Sequence, residues 1–391
     1  MKFDFDSLIL KSPFYTEDHQ QWREWTVRPF VEKEIIPFIN EWEKNESIPD
    51  ELWPKAAKAG LFQIGYPEEY GGVKKGTDIF HILITAEELA RSGSGGVYAS
   101  LSVQSIGLPP ISNFGSDELK NEVIPKILAG EKRICLAITE PSGGSDVANI
   151  KTNAFKDGDH YIVNGSKTFI TDGLKSDWLT TAVRTGGEGV NGVSLIAIPG
   201  NLDGITRDSV GKKQGWWCSD TATIYFENVK VPIKYLIGNE NQGFKPIVHN
   251  FNNERIGIVA ACLGASRICF EDALTWAKER ITFSKPLSKH QVIQHKFAEM
   301  LRKINATQAY MDLCGWQMIN GTTDAADISM LKVQATLTLE FCAREASQIL
   351  GGISYVRDSR IERIYREVRV MAIGGGSEEI MRDLSSRQMG L

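Results

Sequence analysis

Near residue 132 the apolar pattern of this 391-residue chain switches from a helical to an alternating period, and near residue 239 it switches back. A 3.6-residue repeat and a two-residue repeat bury their apolar faces in different ways, so the chain has to form helices, then a sheet, then helices again. Before the first switch, residues 16 to 45 place Trp22, Trp25, Phe30, Ile35, Ile36, Phe38, Ile39 and Trp42 among charges at helical intervals. Asp50 is positioned to cap the segment from Glu51 to Phe62. Residues 78 to 92 and Asp117 to Leu128 read as further helices, the last stopped by Gly130. Between the switches, strand-like stretches recur at Arg133 to Thr139, His160 to Val163, Lys167 to Thr171, Trp178 to Val183, Val193 to Ile198 and Thr221 to Phe226. Asn164-Gly165 between two of them predicts a hairpin turn, since both residues tolerate positive φ. After the second switch, amphipathic segments over 244–280, 288–320, 324–350 and 359–371 lead to Gly374-Gly375-Gly376. The expected fold class is α+β in three domains: helical over 1–131, β over 132–238 and helical over 239–391.

A net charge of −5 argues against general affinity for nucleic acid, while leaving room for a local basic groove. Six cysteines lie apart without a C-x-x-C pair, and six histidines form no H-x-x-x-H pattern. No disulfide framework or metal cluster is indicated, and a reducing compartment follows. The N-terminal stretch MKFDFDSLILKSPF lacks both the basic start of a signal peptide and the arginines of a transit peptide. No apolar run reaches membrane-spanning length. A cytoplasmic protein is expected, or a mitochondrial matrix protein if the chain is a processed eukaryotic one.

The block most suited to a ligand is Cys135 to Asp146, where a strand ends in hydroxyls and glycines that let backbone N–H groups approach a flat or anionic molecule. Read bare, it is equally compatible with a structural turn. Its core, AITEPSGGSDVANIKT, resembles the signature of the acyl-CoA dehydrogenase family, and further blocks match in order. These are Asn164 to Thr171, Cys218-Ser219-Asp220-Thr221 with Phe226 and Val231-Pro232, Arg280-Ile281-Thr282-Phe283, His290-Gln291 and Gln348 to Gly352. The resemblance covers nearly the whole chain. It implies a middle antiparallel β domain between an N-terminal helical domain and a C-terminal four-helix bundle. FAD would lie between the β domain and the bundle, in a homotetramer built as a dimer of dimers.

Position by position, the resemblance implies that Leu136, Ile138 and Thr139 line the flavin and that Ser145 contacts FAD or the CoA pantetheine. Phe169, where many relatives have tryptophan, and Thr171 would pack and bond at the ring. Arg280 and Thr282, with Phe283, His290, Gln291, Gln348, Ile349, Gly351 and Gly352, would be offered to a neighbouring subunit's cofactor. Ser377 and Glu379 would also meet FAD. Each has a plainer reading: Phe169 as core, Arg280 as a cation at a helix end.

Removal of an α proton and a β hydride needs a carboxylate base in a dry site. Much of the family carries this glutamate near the C-terminus, but here the matching stretch, Ile373-Gly374-Gly375-Gly376-Ser377-Glu378-Glu379-Ile380, has Gly375 there. The long-chain and isovaleryl members are similar in this respect and place the base on a bundle helix. The corresponding stretch is Phe251-Asn252-Asn253-Glu254-Arg255-Ile256, so Glu254 is the expected base, with Asn252 and Arg255 beside the substrate. A solvated Glu-Arg pair is the plainer alternative, and Glu378 and Glu379 are the other carboxylates to consider. The Gly375 backbone N–H would still polarise the thioester carbonyl. An electron-transfer flavoprotein would take the electrons. An acyl-CoA oxidase, a flavin monooxygenase on the same scaffold, or a non-catalytic FAD-binding protein are the rival readings.

Overall fold

A computed structural model describes residues 5, 6 and 12–391, so the N-terminal stretch read for targeting signals lies largely outside the described residues. The chain divides into two compact units. One comprises Met1–Glu41, Thr77–Tyr98 and Arg255–Leu391, the other Trp42–Gly76 and Ala99–Glu254.

In chain order the helices are α1 (Glu17–Gln21), α2 (Arg28–Glu34), α3 (Ile39–Asn45), α4 (Leu52–Lys58), α5 (Ile79–Arg91), α6 (Gly95–Ser102), α7 (Gln104–Gly107), α8 (Pro109–Phe114) and α9 (Asp117–Leu128). After the strands come α10 (Phe244–Glu279), α11 (Gln291–Ile319), α12 (Ala325–Leu350), α13 (Arg360–Ile373) and α14 (Glu378–Gln388). The strands are β1 (Ile134–Ala137), β2 (Asn153–Asp157), β3 (His160–Thr171), β4 (Trp178–Arg184), β5 (Val193–Pro199), β6 (Ile205–Ser209), β7 (Thr221–Pro232) and β8 (Leu236–Ile237), with a small hairpin of β9 (Ile281–Thr282) and β10 (Lys285–Pro286).

The sheet unit orders its strands β6-β7-β3-β2-β4-β5-β8, with β1 beside β4. β4 and β5 are buried along nearly their whole length, which is why they read as continuous apolar runs. The antiparallel middle sheet has two parallel pairings. β1 runs parallel to β4, Ile134 opposite Trp178, and β2 meets β4 through one parallel pair, Asn153 with Arg184. A parallel partner needs a long connection, and the β2–β3 excursion supplies it.

The Asn164-Gly165 hairpin is corrected. β3 runs straight through both residues with a bulge against β7, and the β2–β3 turn lies instead at Gly158-Asp159, Asp157 facing His160. Gly165 has φ +139°, and a Cβ there would come within 2.6 Å of the Thr152 Cα, so close backbone approach is what requires the glycine. Gly165→Ala is expected to cost roughly 1–3 kcal/mol. A urea midpoint equal to that of the parent would refute this. Asp50, expected as a helix cap, spends its carboxylate on Arg133 (2.7 Å) and Lys175 (3.0 Å), while α4 starts without a side-chain cap. The Arg133 guanidinium in turn lies over the Trp53 ring, 3.4 Å from its centre.

The helical unit is built on α12, which packs against α11, α13 and α14. Its buried Ala335, Ala343 and Ala346 let neighbouring helices approach. The helical stretch expected over 16–45 is divided into several pieces. α1 passes through a π-helical stretch, Trp22–Val27, into α2, and a 3₁₀ turn at Ile36–Phe38 follows. Pro37 explains the second break, because it has no N–H to give the preceding turn. Trp25 is consequently 71% exposed, and Ile36 and Phe38 are exposed too. α1 and α5 are capped reciprocally. Thr16 and Asp78 are their N-caps, and His19 Nε2 bonds Asp78 at 2.9 Å. Buried charges tie α5 to its neighbours: Arg23 of the π-helical stretch meets Glu87 at 2.9 Å and Arg267 of α10 meets Glu87 at 3.0 Å. All six cysteines are buried and unbridged. No described helix is long and apolar enough to cross a membrane.

Candidate active site

In the sheet unit, the residues singled out from the sequence gather at the ends of β1 and β3. Ile138 is buried, Leu136 and Thr139 are half-buried, and Ser145 lies exposed in the glycine loop. The Thr168 N–H donates to the Thr139 carbonyl at 2.9 Å and so ties that loop to β3. Between Lys167 and Ile170 the β3–β7 register shifts, and in this bulge Phe169 is held at φ +57° and is 68% exposed. A bulky residue in the left-handed region, presenting its aromatic face outward, is a strained arrangement of the kind that persists where a ligand uses it. Half-buried Thr171 follows two residues later. The glycine edge is open: a Cβ at Gly143 would meet nothing within 4 Å, and one at Gly144 only the Thr139 methyl at 3.4 Å. An aromatic face, hydroxyls and an uncrowded backbone fit a flat ring with a polar edge.

A buried ion pair organises this region. Lys167 has a fully buried side chain, and its Nζ donates to Glu140 at 2.8 Å and to the Ile138 carbonyl at 3.0 Å. The Glu140 carboxylate also accepts from the Lys151 and Thr152 N–H groups, at 2.6 and 2.9 Å. Burial alone would raise the Glu140 carboxyl, but Lys167 and these donors outweigh it and hold it below the usual range. Burial pushes the Lys167 ammonium down to about 8. Both residues lie inside the sequence blocks that resemble the family, and the resemblance implies no role for either. A lysine at an inward-facing strand position was the available signal.

In the helical unit, Arg255 is buried on α10, and its Nε donates to the Gly375 carbonyl at 3.2 Å. Glu254 and Asn252, which precede it in α10 and fall in the other unit, are half-buried. Gly375 and Gly376 have φ +68° and +101°, which only glycine adopts without strain. Ser377 then caps α14, accepting from the Ile380 N–H at 3.4 Å. Glu379 is exposed, and its own backbone N–H and the Ser377 hydroxyl hold its carboxyl below the usual range. Glu378 is bonded to Arg382 at 2.9 Å.

The β9–β10 hairpin carries the next group. Thr282 Oγ1 and His290 Nε2 lie 3.1 Å apart. Phe283, at φ +48° in the turn, packs edge-on to the His290 ring and is 93% exposed. Arg280 and Gln291 are exposed on either side. At the end of α12, Gln348 is exposed, Ile349 is buried, and Gly351 and Gly352 form an exposed turn pinned where the Ser354 hydroxyl donates to the Gly351 carbonyl at 2.8 Å.

Three family models match the chain in succession: the acyl-CoA dehydrogenase N-terminal domain over residues 16–131, the middle domain over 135–229 and the C-terminal domain over 241–390. The mitochondrial long-chain specific acyl-CoA dehydrogenase of Sus scrofa is 36% identical, covering 96% of this chain and 87% of its own. A crystal structure of a probable acyl-CoA dehydrogenase from Mycobacterium abscessus is 41% identical with a TM-score of 0.93, over 96% of this chain and all of that one. A glutaryl-CoA dehydrogenase from Mycobacterium smegmatis, solved in complex with FADH2, is 26% identical with a TM-score of 0.92, over 98% and 97% of the two chains. Matched along nearly its whole length and by all three domain models, the chain belongs to the acyl-CoA dehydrogenase family of FAD-dependent oxidoreductases.

Proposed function

We propose that this enzyme converts an acyl-CoA thioester to the trans-2-enoyl-CoA, with Glu254 as the acceptor of the α proton. The observation that carries this reading is the Arg255–Gly375 hydrogen bond of 3.2 Å. It fixes the glycine that stands at the usual position of the base to the residue directly following Glu254. The carboxylate missing from that segment is accompanied by a half-buried one, Glu254, that directly precedes Arg255 in sequence. Glu378 and Glu379 are weaker candidates, the first paired with Arg382 and the second solvated and already stabilised as an anion.

FAD, when bound, supplies the hydride acceptor. The residues that would hold it are Leu136, Ile138, Thr139, Phe169 and Thr171, the ring of Phe169 packing on its face and the two hydroxyls bonding its polar edge. The Gly375 N–H donates to the thioester oxygen and stabilises the enolate that develops as Glu254 takes the proton. Ser145 and Asn252 contact the CoA ester, and Arg255 acts through the loop that it holds. Arg280 and Thr282, with Phe283, His290, Gln291, Gln348, Ile349, Gly351 and Gly352, serve the cofactor of a second copy in a homotetramer, the Arg280 guanidinium meeting its pyrophosphate, and Ser377 and Glu379 also contact FAD. The exposure of Phe283, Tyr355 and Val356 supports such a partner, since lone chains seldom leave that much apolar surface in water. Electrons pass on to an electron-transfer flavoprotein.

Anaerobic mixing with a panel of straight, branched and aromatic acyl-CoAs tests the reading. At least one is expected to bleach the flavin, with colour returning slowly in air. Rapid peroxide formation would assign the protein to the oxidases or monooxygenases on this scaffold, and no bleaching with any thioester would favour a non-catalytic FAD-binding role.

A further inference from the structure

We infer that Lys332 is a positioning residue that sets the oxyanion donor of the glycine loop; the inference rests on the role proposed above for Gly375. Lys332 lies in the middle of α12 with its side chain fully buried. Its Nζ donates to the Gly376 carbonyl at 2.8 Å. The loop it reaches joins α13 to α14, and α12 packs against both of those helices. The preceding carbonyl, of Gly375, is held by Arg255 from α10. Two successive peptide oxygens are therefore each bound by a buried cation, and the two cations come from different helices.

Three consecutive glycines have no conformational preference strong enough to fix a loop. Gly375 and Gly376 both sit at positive φ, where glycine is free to move among several basins. The anchors must come from outside the loop. Binding the Gly375 and Gly376 oxygens fixes two adjacent peptide planes. The Gly375 N–H lies in the peptide plane just before these two, so it is restrained from one side by them and from the other by the end of α13, where the Gly374 N–H donates to the Val370 carbonyl at 2.8 Å. The far side of the loop is closed by packing, since a Cβ on Gly376 would come within 2.5 Å of the Met381 Cε. A neutral donor would be enough to satisfy a carbonyl. A buried ammonium is costly to desolvate, and, on the role proposed for Gly375, what it adds is positive potential on the loop that meets the developing enolate.

Lys332→Met and Lys332→Gln test this, the second retaining a neutral donor and serving if the first does not fold. Both are read by melting temperature, bound flavin, steady-state constants, and ionisation of a 3-thia acyl-CoA, which can lose its α proton but has no β hydride to give. For Lys332→Met, kcat should fall roughly tenfold to a hundredfold with KM changed less than about threefold, and the ionised fraction of the bound analogue should drop by at least about tenfold. Lys332→Gln should fall between the parent and Lys332→Met. Ionisation of the analogue at the parent level in a folded, flavin-loaded variant would overturn the role of Lys332. Glu254→Gln is run alongside. If it ionises the analogue like the parent, the reading of Glu254 fails. If it does not, while Lys332→Met does, only the inference about Lys332 fails.

Discussion

Glu254→Gln is expected to keep its flavin and its melting temperature while reducing that flavin with acyl-CoA roughly 10²–10⁴ times more slowly than the parent. Glutamine is nearly isosteric and still fills the half-buried space on α10, so packing survives. What is lost is the only group at that position able to take a proton. An α proton beside a thioester is weakly acidic, and neither Arg255 nor the loop glycines can accept it. Stopped-flow bleaching at saturating acyl-CoA measures the effect, and a rate within a few-fold of the parent would remove Glu254 from the mechanism.

Glu140→Gln should have the largest effect on stability, a loss of about 3–5 kcal/mol, because it leaves the buried Lys167 ammonium without its counter-charge. The damage would be local as well as global. Lys167 also holds the Ile138 carbonyl at 3.0 Å, and the Glu140 carboxylate holds the Lys151 and Thr152 N–H groups, so the loop carrying Thr139 and Ser145 loses its frame. Flavin retention should fall with the urea midpoint. The same pair predicts acid sensitivity. Because the Glu140 carboxyl is held below its ordinary value of 4.5 in the folded state, its contribution is fully present above that value and disappears as the pH falls beneath it. Glu140→Gln should flatten that part of the stability profile. An unaltered midpoint and an unaltered acid limb would show that the pair contributes little.

The helical segments after residue 239 were legible from the chain nearly to their ends: 244–280 against Phe244–Glu279, and 324–350 against Ala325–Leu350. Long periodic stretches leave little ambiguity. β2 and β6 escaped notice because they are mostly solvent-facing and lack an apolar alternation, with only Ala154 of β2 fully buried. Asn164-Gly165 misled because a bulge and a hairpin ask for the same residues. What separates them is the approach of Thr152, from a segment twelve residues upstream of Asn164. Asp50 misled for a similar reason, since a capping residue and a partner for Arg133 and Lys175 look alike in sequence. The candidate site was legible as a set of positions, through resemblance. The ion pair that frames one part and the cation on the Gly376 carbonyl in another were not, because each depends on which strand or helix crosses beside a loop.

The most direct measurement of the central claim separates proton removal from everything that follows. The parent and Glu254→Gln are each incubated anaerobically in D2O with a 3-thia acyl-CoA, and exchange of the α hydrogens is followed by NMR. Exchange in the parent and none above background in the variant, with binding of the analogue preserved, is the expected result. Exchange at the parent rate in Glu254→Gln would contradict it and move the base to another residue.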